Sequence, residues 1–103
     1  MADMPKRKAI VKLANVELKG DYAGWKMTIR TNPPFRAFAD LASGDMERMI
    51  KGLSSIIRSW NFVNEEGDDL GAPSTATIGE LETDLMAATT EAINTEFTKL
   101  PPG

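Results

Sequence analysis

The stretch WNFVNEEGDDLGAP, residues 60–73, places four carboxylates around one glycine directly behind two aromatic residues. Carboxylates bind calcium in EF-hand loops, which need oxygen ligands at positions 1, 3 and 5 and glycine at position 6. With Gly67 at position 6, Phe62 occupies position 1 and cannot bind the ion. With Gly71 at position 6, Leu70 occupies position 5 and fails in the same way. The stretch therefore predicts a short acidic hairpin turn with its acids in solvent, or alternatively an acidic docking surface.

The other reactive side chains give little support for catalysis. The chain has no cysteine and no histidine, which removes thiolate ligands, thiol nucleophiles and the commonest general base. Asp40 with Asp45, and Glu80 with Asp84, are pairs of the type that performs acid–base chemistry. Acids near helix starts are also expected from capping and from the helix dipole alone. Because a glycine-rich phosphate loop is missing as well, the sequence predicts a non-enzymatic protein without a cofactor or metal.

Charge is divided unevenly along the chain, although the net charge is only −3. Eight of the twelve basic residues lie in the first 36 positions: Lys6, Arg7, Lys8, Lys12, Lys19, Lys26, Arg30 and Arg36. No lysine or arginine occurs between Arg58 and Lys99. The two ends are either solvated faces or surfaces that pair with copies of the chain or with a charged partner. Nucleic-acid binding is not predicted, because the basic residues follow no motif and an acidic half opposes phosphate.

Length and composition predict one domain. A chain of 103 residues that is 42% hydrophobic should bury roughly 60 to 70% of its unfolded surface in one core. We expect a flexible basic arm over 1–8, a globular domain over 9–98 and a short tail over 99–103. The absence of a run of about 18 apolar residues and of a signal-peptide core predicts a cytosolic protein without membrane association.

Two alternating runs around a Gly, Asp and Gly cluster predict a β-hairpin over residues 14–31. One face of this hairpin should hold its apolar members, which are Val16, Leu18, Trp25, Met27 and Ile29. Asn32 and two prolines then stop the strand and start a short helix that ends at Ser43 and Gly44. The apolar spacing of that helix comes from Phe35, Phe38 and Leu41.

Two longer amphipathic helices are predicted downstream. The first runs from about 45 to 59, and its apolar stripe is Met46, Met49, Ile50, Leu53, Ile56, Ile57 and Trp60. Gly52 lies inside this helix, where glycine indicates close packing or mere tolerance. The second runs from about 78 to 98 and starts at a capping box formed by Thr77 and Glu80. Its stripe is Leu81, Leu85, Met86, Ala92, Ile93 and Phe97, with Thr89 as a polar member near the middle.

The predicted fold is therefore α+β: an N-terminal β-hairpin packed on two or three amphipathic helices, with a short acidic hairpin between the last two. Its methionines are either core fillers or members of an adaptable binding surface. The candidate partner-binding residues are three methionines and the basic residues of helix 45–59, namely Met46, Met49, Met86, Arg48, Lys51 and Arg58. The basic residues and the acidic 64–71 turn would orient the partner.

The order of these features resembles that of the small tail assembly chaperones of long-tailed bacteriophages. The similarity covers residues 16–93 and rests on three patterns. They are TNPP after the strand W.M.IRT, the hairpin W.FV.EEG..L and the helix start I.EL..DL..A. The resemblance implies a non-enzymatic protein of the host cytoplasm that binds the tape measure protein, and in some cases the tail tube protein, during tail assembly. It supplies no catalytic residues.

Two other interpretations remain open at this level. The protein is alternatively a structural virion subunit, such as a small tail or head-completion protein, or a regulatory adaptor unrelated to phage. A chaperone is required to make the particle but absent from it, whereas a structural subunit is present there in fixed stoichiometry. Self-association is compatible with all three interpretations.

Overall fold

A computed structural model describes residues 10–99, and these form an α+β fold, as the sequence predicts. The elements in chain order are β1 (Leu13–Glu17), β2 (Lys26–Arg30), α1 (Phe35–Ala42), α2 (Met46–Ile56), β3 (Ile57–Trp60), α3 (Thr75–Gly79) and α4 (Thr83–Lys99). The strands form one antiparallel sheet in the order β1-β2-β3. The predicted arm over 1–8 and most of the predicted tail lie outside the described residues, while Lys99, assigned to the tail, ends α4.

The predicted N-terminal hairpin is confirmed. β1 and β2 pair in register from Leu13 opposite Arg30 to Glu17 opposite Lys26, and a short 3₁₀ turn forms the tip. One face of the hairpin enters the core, since Met27 and Ile29 are buried, as are Val16 and Leu18 on β1. The opposite face is mostly polar, although Leu13 on β1 is exposed there. This alternation is what an antiparallel sheet with one solvated face requires.

The predicted helix over 45–59 is too long by one turn, because α2 ends at Ile56 and Ile57–Trp60 form the third strand. Ile57 already has extended backbone angles and pairs with Ile29. Trp60 pairs with Met27. The register shifts between Thr28 and Ile29, so that Arg58 is an extra residue in the strand. The physical reason is that β2 has a second edge whose backbone groups need partners, and this segment supplies them.

Asn61 secures the end of this third strand. Its side-chain oxygen accepts a hydrogen bond from the Lys26 backbone N–H at 2.7 Å, and its own N–H donates to the Lys26 carbonyl at 3.1 Å. Its amide nitrogen also donates to the carbonyl of Gly24 at 3.3 Å. Three hydrogen bonds to the β1–β2 hairpin therefore fix the chain in an extended path beyond Trp60.

The short predicted helix is confirmed as α1, and α1 and α2 form a close helical hairpin. Asp45 caps α2, because its carboxylate accepts from the backbone N–H groups of Glu47 and Arg48. Gly52 faces α1 so closely that a Cβ there would lie 2.8 Å from the Ala37 carbonyl oxygen. Gly52 therefore allows the close packing of α1 and α2 and is not merely tolerated in the helix.

The acidic stretch forms the predicted hairpin turn. Val63 and Asp69 form a β-bridge, and the Leu70 N–H donates to the Phe62 carbonyl at 3.2 Å. Inside the turn, the Asn64 side-chain oxygen accepts from two backbone N–H groups, and Gly67 has a φ of +86°. Only glycine adopts that backbone conformation without strain, which explains its place in the turn.

The predicted start of the last helix is wrong. The capping box consists of Ser74 and Thr77, which cap the short α3, and Thr83 begins α4 after a break. Thr77 occupies the third helical position of the box, where its hydroxyl accepts from the Ser74 N–H at 2.8 Å. The serine three residues earlier therefore takes the capping role that the sequence assigned to Thr77.

The predicted stripe of α4 is confirmed in its central part. Leu85, Thr89 and Ile93 are buried, and Leu81, Met86, Ala92 and Phe97 pack against the core while partly exposed. Thr89 is tolerated there because its hydroxyl donates to the carbonyl of Leu85 at 2.8 Å. Leu53, Ile56, Ile78 and Phe62 complete the same core, so one cluster joins the sheet to the helices.

Candidate functional site

The helical hairpin of α1 and α2 exposes large apolar side chains. Phe35 at the start of α1 is 85% exposed, and Met46 at the start of α2 is 76% exposed. Phe38, one turn after Phe35, is 38% exposed. These residues are three of the six large hydrophobic side chains found exposed between residues 10 and 99. We call Phe35, Phe38 and Met46 the exposed apolar residues of the helical hairpin.

Phe38 also lines a shallow groove where α1 approaches the C-terminal part of α4. Its ring makes an edge-on contact with Phe97, with a distance of 5.1 Å between ring centroids and an interplanar angle of 67°. Leu41, Ala42 and Thr98 contribute to the same groove. The groove is open and mostly apolar, so it suits a side chain from a partner better than a small polar ligand.

The three predicted partner-binding methionines occupy different environments. Met46 lies on the surface, Met49 is half-buried and Met86 packs against the core from α4. Met27, which the sequence already placed on the core face of the hairpin, is buried. The methionines therefore divide between core filling and surface exposure, and Met86 contributes to the core rather than to a shared surface with Met46.

The three predicted basic residues are also spread over different features. Arg48 Nε donates to Asp40 Oδ1 at 3.1 Å, and this carboxylate is buried between α1 and α2. Lys51 is exposed one turn further along α2, whereas Arg58 lies on β3 beside the acidic hairpin. Arg48 and Lys51 thus share one face, and Arg58 belongs to another. The ion pair with Asp40 was not predicted, because the sequence suggested only that Asp40 is an acid near a helix start.

A row of four aromatic rings connects the tip of the β1–β2 hairpin with the acidic hairpin. Tyr22 contacts Trp25, Trp25 contacts Phe62, and Phe62 stacks on Trp60, with centroid distances of 5.2, 5.7 and 4.7 Å. The Trp60 indole N–H donates to the Gly71 carbonyl at 2.7 Å. Sequence reasoning named Trp25, Trp60 and Phe62 singly but not Tyr22, and it missed the row, since the rings come from two segments that are distant along the chain.

The tip of the β1–β2 hairpin, defined by Asp21 and Tyr22, lies in a negative environment. Burial, then the nearby carboxylates of Asp84, Glu82 and Asp21, raise the pKa of the Tyr22 hydroxyl above its ordinary value. These acids come from the hairpin and from the beginning of α4. The part of the chain that the structure describes contains no group of three or more acids placed to hold a metal ion.

We expect added calcium to leave the melting temperature of the protein unchanged. The acids of the 64–71 turn are exposed, and hydrogen bonds of Asn64 and Gly67 already close the turn. The turn therefore does not need a bound ion to hold its conformation. A ligand that binds only the folded state raises stability by RT ln(1 + [L]/Kd). Thermal melts with calcium, with magnesium and with a chelator measure this increase in stability. A saturable rise with calcium alone at micromolar concentration would show that the turn is a metal loop.

None of the helices between residues 10 and 99 is both long enough and apolar enough to cross a membrane. Comparison of the chain with protein-family models, with curated proteins and with solved structures found no match.

Proposed function

We propose that this protein is a non-enzymatic tail assembly chaperone of a long-tailed bacteriophage, which binds the tape measure protein through its helical hairpin. The observation that carries the proposal is the exposure of Phe35, at 85%, with Phe38 and Met46 on the same pair of helices. The resemblance of residues 16–93 to such chaperones supports the choice of partner. The proposed place of action is the host cytoplasm.

Exposed aromatic and methionine side chains suit an elongated helical partner. Each large aromatic ring that becomes buried contributes hydrophobic free energy, and methionine adapts its shape to the partner's side chains. Arg48 and Lys51 would meet acidic residues of the partner at the edge of this contact, while the acidic turn would meet basic ones. Exposed charge pairs contribute only about 0 to 1 kcal/mol each, so apolar burial supplies most of the affinity.

Co-expression with a candidate tape measure protein tests the proposal. We expect the two proteins to co-purify, with binding that survives about 0.5 M salt because screening weakens exposed charge pairs but not apolar contacts. Phe35→Ser should raise the dissociation constant of the complex by about tenfold or more, which corresponds to about 1.4 kcal/mol. Lys26→Ser is the matched control, since it shortens an exposed side chain on β2, away from the helical hairpin.

The composition of the purified phage particle separates this proposal from its main competitor. A chaperone is needed for tail formation and absent from the mature particle. If the protein never co-purifies with the tape measure protein and is recovered from particles in fixed stoichiometry, it is a structural virion subunit. If deletion of its gene leaves tail formation unchanged, neither phage role holds.

A further inference from the structure

Within residues 10–99, the first strand of the sheet pairs on one side only, with β2, and its other edge is free. The Leu18 N–H donates to the Trp25 carbonyl, and the Thr31 N–H donates to the Lys12 carbonyl, both at 2.8 Å. Even-numbered residues of β1 therefore direct their backbone groups toward β2. The N–H and C=O groups of the odd-numbered residues Leu13 and Asn15 point away from the sheet. An edge of this kind is a template for pairing with another strand.

The same strand and the residues just before it expose apolar side chains. Ile10 is 73% exposed, Val11 is 44% exposed and Leu13 is 55% exposed. Hydrogen bonds from Asn32 hold this segment beside β2, since its side chain donates to the Ile10 carbonyl at 2.7 Å and accepts from the Lys12 N–H at 2.9 Å. Edge strands of monomeric proteins are usually protected by charges or proline. This one carries the charged residues Lys12 and Glu17, but it also exposes Ile10, Val11 and Leu13 within four positions of an extended path.

A groove runs along the free edge between β1 and α4. Its strand side includes Asn15 and Val16, and its helix side includes Ala88, Ala92 and Thr95. The helix residues are spaced three or four apart, so they form one stripe of α4. Because these side chains are small, they leave room for an additional side chain or for the close approach of a second helix.

We propose that β1 pairs antiparallel with β1 of a second copy of this chain, which makes a symmetric dimer with a continuous six-stranded sheet. The symmetry axis passes midway between the two copies of Leu13, so that Leu13 of each copy exchanges both backbone hydrogen bonds with Leu13 of the other. This register uses the outward-facing groups and brings the exposed Leu13 and Val11 side chains of both copies together on one face.

The groove can hold the partner's Ile10, which this register places beside it. With Leu13 opposite Leu13, the partner's Ile10 lies opposite Val16, at the wall of the groove. The exposed Ile10 side chain then enters the space left by Ala88 and Ala92, and each copy supplies one such side chain and one such groove. A surface that holds both the protruding side chain and its receptor is self-complementary, as a two-fold dimer requires.

Charge complementarity favours a second copy over an unrelated peptide. The chain that precedes Ile10 carries Lys6, Arg7 and Lys8. The antiparallel register directs Ile10 toward the end of the partner's β1 that leads to the β1–β2 tip, where Asp21, Glu82 and Asp84 lie near Tyr22. The dimer therefore places the residue that follows this basic run in sequence beside the strand that leads to an acidic tip. This inference is independent of the proposed chaperone function.

Cysteine cross-linking tests the register, because the natural chain contains no cysteine. Leu13→Cys should form a covalent dimer rapidly on mild oxidation, since Cα atoms of a directly opposed pair lie about 5.5 Å apart, within disulfide range. Val11→Cys is the matched control, because its two copies would be offset by four residues along the strands, about 13 Å. Cross-linking of Val11→Cys as fast as Leu13→Cys overturns the register.

The mass of the protein in solution tests the dimer itself. Light scattering during gel filtration should give the mass of two chains at about 100 µM, and Ile10→Asp should raise the dissociation constant at least about tenfold. Circular dichroism verifies that this variant, changed at an exposed site, remains folded. Phe35→Asp alters a similarly exposed apolar residue outside the groove and should leave the mass unchanged. A monomeric wild type, or a dimer that Phe35→Asp dissociates and Ile10→Asp does not, overturns the proposal.

Discussion

Leu53→Asp should abolish folding at ambient temperature. Leu53 is 2% exposed and belongs to the same core as Met27, Ile29 and Ile56. The substitution removes a buried aliphatic side chain and places a carboxylate where no partner exists, and the two effects together cost several kcal/mol. The free energy of unfolding of a domain of this size is only about 5 to 15 kcal/mol. This single change therefore removes most of it. Circular dichroism melts and urea titrations measure the loss.

Ser55→Asp provides the matched control for this substitution. Ser55 lies two residues further along α2 on the exposed side, so the same new side chain meets water and should change stability by less than about 0.5 kcal/mol. Leu53→Ala keeps the test quantitative if the Asp variant cannot be purified, and its expected loss is about 2 to 5 kcal/mol. If the Leu53→Asp protein melts at the wild-type temperature, α2 does not belong to the core.

Gly52→Ala should destabilise the protein, although alanine is the better helix former. Alanine favours an isolated helix over glycine by about 1 kcal/mol. At this position, however, the new Cβ would lie 2.8 Å from the Ala37 carbonyl oxygen and 3.2 Å from the Asp40 Cβ. Because the nearest atom belongs to the backbone of α1, the helices must separate, and overpacking of this kind costs about 1 to 3 kcal/mol. Subtracting the gain of about 1 kcal/mol in helix propensity leaves an expected net loss of up to about 2 kcal/mol.

Gly79→Ala separates packing from propensity. Gly79 is the last residue of α3, and a Cβ there would meet only the Ile50 Cδ1 atom, at an ordinary contact distance of 3.7 Å. This variant should be as stable as the wild type or more stable. Chemical denaturation of both variants with a shared slope gives the comparison. Stabilisation by Gly52→Ala equal to that by Gly79→Ala would mean that α1 and α2 pack less closely than described.

Local pattern in the amino-acid sequence was sufficient for most individual elements. Alternation around the glycines predicts the β1–β2 hairpin, and the prolines after Asn32 predict the start of α1. The acidic turn follows from Gly67 and its flanking apolar residues, and the three-and-four spacing predicts the buried face of α4 with Thr89 included. Each of these depends on interactions between residues close in sequence, whose periodicity is written directly in the chain.

The tertiary structure alone determined the features that depend on distant partners. Ile57 and Trp60 fit a helical stripe as well as a strand, and the second edge of β2 selects the strand because its backbone groups require hydrogen bonds. The close approach of Gly52 to Ala37 likewise arises from packing between helices.

The candidate binding surfaces were the least predictable part of the protein. The sequence placed Met46, Met49 and Met86 together as candidates, yet only the packing of α1, α2 and α4 decides that Met46 is exposed and that Met86 supports the core. It also could not show that Phe35 stays in solvent or that β1 has a free edge. Every apolar side chain favours burial, but the arrangement of all the elements decides which of them are buried within one chain.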